Sequence, residues 1–221
     1  MVSDSILAFL RELHIDAKLP KGIEILYPYN NDTTFELCRQ FYHKYYNDNN
    51  PRTLLLGINP GRFGSGLTGV SFTDPVKLEK YCGIVNDLPK KIELSADFIY
   101  AMIFEYGGLE AFYNKYFISS VCPLGFTFNG KNINYYDVPK LEKAITPFVV
   151  ESINKLVAMG VSTELCFCIG GDKNLKSLLR LNEEHQWFKE IKPLPHPRFI
   201  MQYRRKKMND YIEFWINQLN Q

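Results

Sequence analysis

At 221 residues, with 46% hydrophobic and 14% aromatic content, the chain can bury a real core and is too apolar for a disordered one. A formal net charge of +2 excludes recognition by bulk charge, yet between Lys189 and Lys207 seven Lys/Arg residues face one acid, Glu190, a local footprint for phosphates. Five cysteines without CxxC pairing, and no two histidines at metal-ligand spacing, argue against a disulfide framework, a zinc site or an iron–sulfur cluster.

In chain order, Ser3 to Leu13 reads as a short amphipathic helix with Ile6, Leu7, Leu10 and Leu13 on one face. Thr33 or Thr34 is the expected cap of a helix through Phe35, Leu37, Cys38, Phe41 and Tyr42. Four strands are expected at Thr53–Ile58, Tyr116–Val121, Leu165–Ile169 and Phe188–Leu194. Helical patterns fall at Ser95–Tyr106, Lys140–Met159, Asp172–Leu181 and from about Arg204 to Leu219. Alternation of this kind predicts an α/β fold, a three-layer α/β/α sandwich around a central, mainly parallel four-stranded sheet. No repeat or linker divides the chain, so residues 1–221 are read as one domain. No signal peptide or membrane-length apolar run is found, and a cytoplasmic protein is expected, with Cys166 and Cys168 packing as small hydrophobes on one strand face.

Parallel strands deliver their carboxyl ends to one rim, where open α/β sheets bind ligands. The first strand breaks into GINPGRFGSGLTGVSF at 57–72, with five glycines, one proline and a lone internal amide, Asn59. It lacks the GxxxxGK[ST] phosphate-loop pattern. Asn59 suits positioning a water or a polar substrate edge, or simply satisfies loop backbone groups. The other rim segments are Ser120-Val121-Cys122-Pro123, Gly170-Gly171-Asp172 and Pro195-His196-Pro197-Arg198. Prolines on both sides stiffen the backbone of His196, so its ring can be aimed; the plain alternative is an ordinary loop histidine. The stretch Arg198-Phe199-Ile200-Met201-Gln202-Tyr203 and the run Arg204-Arg205-Lys206-Lys207 suit a wedge into a base stack flanked by cations on phosphates, or else core and a solvated face.

Together these segments resemble the uracil-DNA glycosylase superfamily, most closely the single-strand-selective monofunctional family, as a divergent bacterial-type member. The motif at 57–72 is similar to that family's G-[MI]-N-P-G-x-F-G-x-x-x-T-G-V-x-F signature, VCPLGF at 121–126 to its YCPLxF segment, and His196-Pro197 to the start of its HPSPR motif. The resemblance implies a monofunctional DNA glycosylase of base excision repair that flips a damaged base into a pocket and cleaves its N-glycosidic bond, without metal or cofactor. It makes Asn59 the water-positioning residue and His196 the donor toward uracil O2. Ile58, Gly61, Phe72 and Ser120 become substrate-binding residues, with Phe72 stacking on the base. Arg198, Phe199, Arg204, Arg205 and Lys206 are the expected DNA contacts of a monomer that has DNA, single- or double-stranded, as its partner and no membrane association.

Three departures bear on the substrate. Ser120 stands where the family carries an asparagine that reads the uracil edge, and one hydroxyl does not copy a bidentate amide. Arg198-Phe199-Ile200 replaces Ser-Pro-Arg, and Arg62 replaces a proline. A glycosylase acting mainly on xanthine or hypoxanthine is therefore the nearest alternative. A non-catalytic DNA-binding relative and a hydrolase with Cys122 as nucleophile are the others.

Overall fold

The computed structural model describes all 221 residues. In chain order its elements are α1 (Val2–Glu12), β1 (Ile23–Leu26), α2 (Asp32–Tyr45), β2 (Thr53–Gly57), α3 (Ser65–Thr68), α4 (Pro75–Lys80), α5 (Leu94–Tyr106), α6 (Leu109–Lys115), β3 (Tyr116–Ser120), β4 (Gly125–Phe128), β5 (Lys131–Ile133), α7 (Pro139–Ala158), β6 (Leu165–Ile169), α8 (Lys173–His185), β7 (Glu190–Leu194), α9 (Pro197–Tyr203) and α10 (Met208–Leu219).

The sheet has the order β3-β2-β6-β7, every pair parallel, with helices on both sides. Its inner strands read as unbroken apolar runs, because a parallel strand covered on both faces has no solvent side. Leu54, Leu55, Leu56, Cys166 and Cys168 are fully buried, and the two cysteines pack as the small hydrophobes expected. β7 is an edge strand, which is why it tolerates Pro193 opposite Cys168. One cluster of buried apolar side chains runs from Ile6 in α1 to Leu219 in α10. α5 is apolar nearly all round, and Phe98, Ile99, Met102 and Ile103 are wholly enclosed.

Several boundaries differ from expectation for identifiable reasons. Asn31, not Thr33 or Thr34, caps α2; its side chain accepts from the Thr34 N–H at 2.9 Å. The segment expected to be helical from about Arg204 opens as a 3₁₀ turn at Arg205–Lys207 and becomes α10 only at Met208, and the helix before it, α9, was not expected. A second sheet, β1-β4-β5, is antiparallel and was not expected. It rests against the glycine loop: a Cβ on Gly125 in β4 would overlap the Pro60 carbonyl.

At the amino end of β2, far from the rim in strand order, Arg52 is 2% exposed. Its guanidinium pairs with Asp48, donates to the Tyr113 and Asn50 carbonyls and lies 5.1 Å from the Tyr46 ring. A buried cation is tolerable only with this many partners.

Candidate active site

The carboxyl ends of β2, β3 and β7, with the turns that follow them, enclose a cavity of about 380 Å³. Ile58, Asn59, Gly61, Phe72, Ser120, His196, Arg198 and Phe199 line it, so eight residues singled out from the sequence meet in one place. A wider cleft of about 790 Å³ between α7 and α8, with Lys143, Lys173, Lys176 and Arg180 on its walls, holds none of these.

Asn59 is fixed by backbone from a distant segment. Its Oδ1 accepts the Tyr135 N–H at 3.0 Å, and its Nδ2 donates to the carbonyls of Ile133 (3.3 Å) and Pro60 (3.4 Å). The amide thus satisfies loop backbone groups, one of the two roles read from the sequence, and it also lines the cavity. Its Oδ1 accepts one bond and keeps a second lone pair without a partner in the chain. Beneath it, the phenol of the buried Tyr135 donates to Asn174 Oδ1 at 2.9 Å. Asn174 in turn donates to the carbonyls of Ile169 (3.2 Å) and Gly57 (3.4 Å), tying the ends of β6 and β2 to the segment that holds Asn59.

Phe72 sits in the left-handed region at φ 49°, where a non-glycine residue is strained. Thr68 holds the turn: its Oγ1 donates to the Thr73 carbonyl at 2.6 Å and accepts the Val70 N–H at 3.1 Å. The ring lies over Gly57, where a Cβ would stand 3.2 Å from Phe72 Cε2, and 6.0 Å from the His196 ring. Glycine at 57 thus permits the close approach. Ser120 ends β3 directly beside Gly57.

His196 is neither a free loop histidine nor merely stiffened by prolines. It caps α9, with Nδ1 accepting the Arg198 N–H at 3.0 Å and Pro197 in the first helical turn. With Nδ1 an acceptor, the proton of the neutral ring sits on Nε2. Burial, and secondarily the Arg198 charge, push its pKa down to about 4. The ring is therefore a neutral donor at physiological pH.

The proposed DNA contacts divide. Arg198 and Phe199 reach the cavity, as do Gln202 and Tyr203 of the same helix, and Phe199 is 44% exposed. Arg204, Arg205 and Lys206 are exposed just beyond α9 and do not line the cavity. Arg204 lies 5.5 Å from the Phe199 ring. Arg62 donates to the Gly130 carbonyl and stacks on Phe63 at 4.5 Å. Cys122 is fully buried away from the cavity; burial raises its thiol to about 12, which removes it as a nucleophile paired with His196. No helix is long and apolar enough to cross a membrane.

Sequence reading missed Glu93, Asn132 and Asn134 on the cavity wall, and it placed in the wedge stretch, without singling them out, Gln202 and Tyr203. Only the last two carried a signal, their place beside the rim histidine.

Residues 43–220 match the sequence model of the uracil DNA glycosylase superfamily. No curated protein matches the chain. Among solved structures, the crystal structure of wild-type Pedobacter heparinus SMUG2 is 46% identical and superposes with a TM-score of 0.97, over 99% of this chain and 97% of that one. With a match across most of its length and a full-length structural relative, the chain belongs to the uracil-DNA glycosylase superfamily.

Proposed function

We propose that the chain is a monofunctional DNA glycosylase that takes a deaminated base out of DNA into the 380 Å³ cavity and hydrolyses its N-glycosidic bond. The observation that carries this reading is the convergence of Asn59, Phe72, Ser120 and His196, from three strand ends and one loop, on a single cavity.

A base inside a duplex offers no path to its sugar carbon, so it must first be extruded, at roughly a few kcal/mol. The Phe72 ring offers the stacking surface that replaces its neighbours in the helix. As the C1′–N bond breaks, its electron pair goes to the base and positive charge grows on the sugar. The His196 Nε2–H donates to the base oxygen where negative charge accumulates. A neutral donor supplies this bond without a cation that would repel the developing sugar charge. A fixed donor of this kind is worth about 3 kcal/mol in a transition state. Asn59 holds the water that attacks C1′; that water gives up a proton to solvent, and the departing base anion takes one from solvent. No lysine lines the cavity, so no Schiff base forms and the product is an abasic site in an intact strand.

Ser120 favours a second substrate class. A single short hydroxyl leaves the far end of the cavity less selective for the uracil edge, which supports hypoxanthine or xanthine as substrates too. The continuous core supports action as one domain.

The test is incubation with oligonucleotides carrying uracil, hypoxanthine or xanthine, followed by hot alkali. Breaks at the modified base only after alkali are expected. No release of any of these bases would overturn the reading.

A further inference from the structure

One cavity-lining group has no part in the chemistry above. Glu93 leads into α5, and its backbone N–H donates to Asp74 Oδ2 at 3.0 Å. Asp74, fully buried, also caps α4 through the Lys77 N–H at 2.9 Å. The Glu93 side chain then crosses the glycine loop. A Cβ on Gly64 would overlap its carboxyl group, and a Cβ on Gly61 would stand 3.5 Å from Oε1. Glycine at 64 thus clears the space this carboxyl occupies, and Gly61 stands in ordinary contact with it. Within the chain no donor bonds either of its oxygens. Both oxygens open to the cavity, where a ligand that displaces their solvent must supply a hydrogen bond in its place.

We propose that Glu93 is a specificity-determining residue whose carboxyl hydrogen-bonds a polar atom on the flipped base, and that this atom is N7 of a deaminated purine. The inference rests on the glycosylase reading and deepens it. In this pose Glu93 stands across the glycosidic nitrogen from His196, on the side where uracil carries C6–H and C5–H. A purine carries C8–H and N7 there. Uracil leaves the carboxyl unpaired; a purine accepts from its O–H. Sites built to hydrogen-bond a group discriminate against ligands lacking it.

The carboxyl can be that donor near neutrality. Burial, then the Asp74 charge, raises its pKa to about 7, while Arg198 and Lys77 oppose the rise. Lys77 is itself paired with Asp74 and Asp97, and Arg62 and Lys131 stand with Glu93 around the adjoining cleft. As pH rises through about 7 the acid form is lost, so purine excision should fall relative to uracil excision.

The experiment compares kcat/KM for hypoxanthine, 7-deazahypoxanthine and uracil in otherwise identical oligonucleotides, from pH 5.5 to 8.5, in wild type, Glu93→Leu and Glu93→Gln. The wild-type ratio of hypoxanthine to 7-deazahypoxanthine should drop roughly tenfold or more in Glu93→Leu. Glu93→Gln, which keeps a donor at every pH, should retain most of that ratio and lose its decline near pH 7. A ratio unchanged within twofold in Glu93→Leu would overturn the proposal. If Glu93→Leu does not fold, a decline near pH 7 that persists in Glu93→Gln does the same. Wild-type activity on uracil alone overturns this inference and leaves the glycosylase reading standing; inactivity on every base removes both.

Discussion

His196 carries two tasks that substitution can separate. Its Nδ1 caps α9 through the Arg198 N–H at 3.0 Å, and in the proposed reaction its Nε2–H is the donor to the leaving base. Loss of an N-cap side chain destabilises by about 1 kcal/mol. Loss of a donor to the leaving base costs about 3 kcal/mol, or on the order of 10²–10³ in rate. His196→Ala should show both losses. His196→Asn, a good capping residue too short to reach the base, should recover most of the stability and none of the rate. Thermal melts read the first effect, and single-turnover excision of uracil reads the second. The pH dependence has a definite sign. Because the folded pKa is depressed to about 4, below the usual 6.5, the cap contribution is complete above 6.5 and declines as pH falls toward 4. Protonation would convert Nδ1 from acceptor to donor and break the bond to Arg198. The ring ¹⁵N shifts should report Nδ1 unprotonated at pH 6. A ring that titrates near 6.5, or a His196→Asn variant as active as wild type, would refute the reasoning.

Four further outcomes are expected. Tyr135→Phe removes the 2.9 Å bond to Asn174 beneath Asn59; it should lower kcat with KM little changed and reduce stability by about 1 kcal/mol, read by steady-state kinetics and urea denaturation. Gly57→Ala places a methyl 3.2 Å from the Phe72 ring and should raise KM for base-containing DNA more than it lowers kcat. Ser120→Asn should shift excision toward uracil over hypoxanthine in a base-panel assay. Replacing Arg204, Arg205 and Lys206 together by alanine should flatten the salt dependence of DNA binding by roughly 0.7–0.9 for each phosphate no longer neutralised, with an unchanged slope placing the DNA elsewhere.

The central sheet was legible because its strands are short apolar runs bounded by glycine and proline, and β6 falls on Leu165–Ile169 as read. The residues of the cavity were legible for a topological reason: parallel strands place their carboxyl ends together, so Asn59, Ser120 and His196 needed no contact information. The second sheet was hidden by composition. β5 is only Lys131–Ile133, two of its three residues are polar, and nothing local marks it as a strand. Yet that stretch and the one following it supply the carbonyl and N–H that hold the Asn59 side chain, from residues 74 and 76 positions away. α9 was masked by its own cap, since His-Pro at the end of a strand reads as a turn until the ring is seen to accept from Arg198. Glu93 lies in a polar stretch behind Lys90 and Lys91, where one more charge looks like solvated surface.

α9 joins at one end the imidazole and, along its seven residues, Phe199, Gln202 and Tyr203 on the cavity rim. The helix ties the two together: a substitution at Phe199, Gln202 or Tyr203 that shifts α9 also shifts the ring that caps it, so a variant on the rim alters the position of the imidazole along with the surface of the cavity mouth.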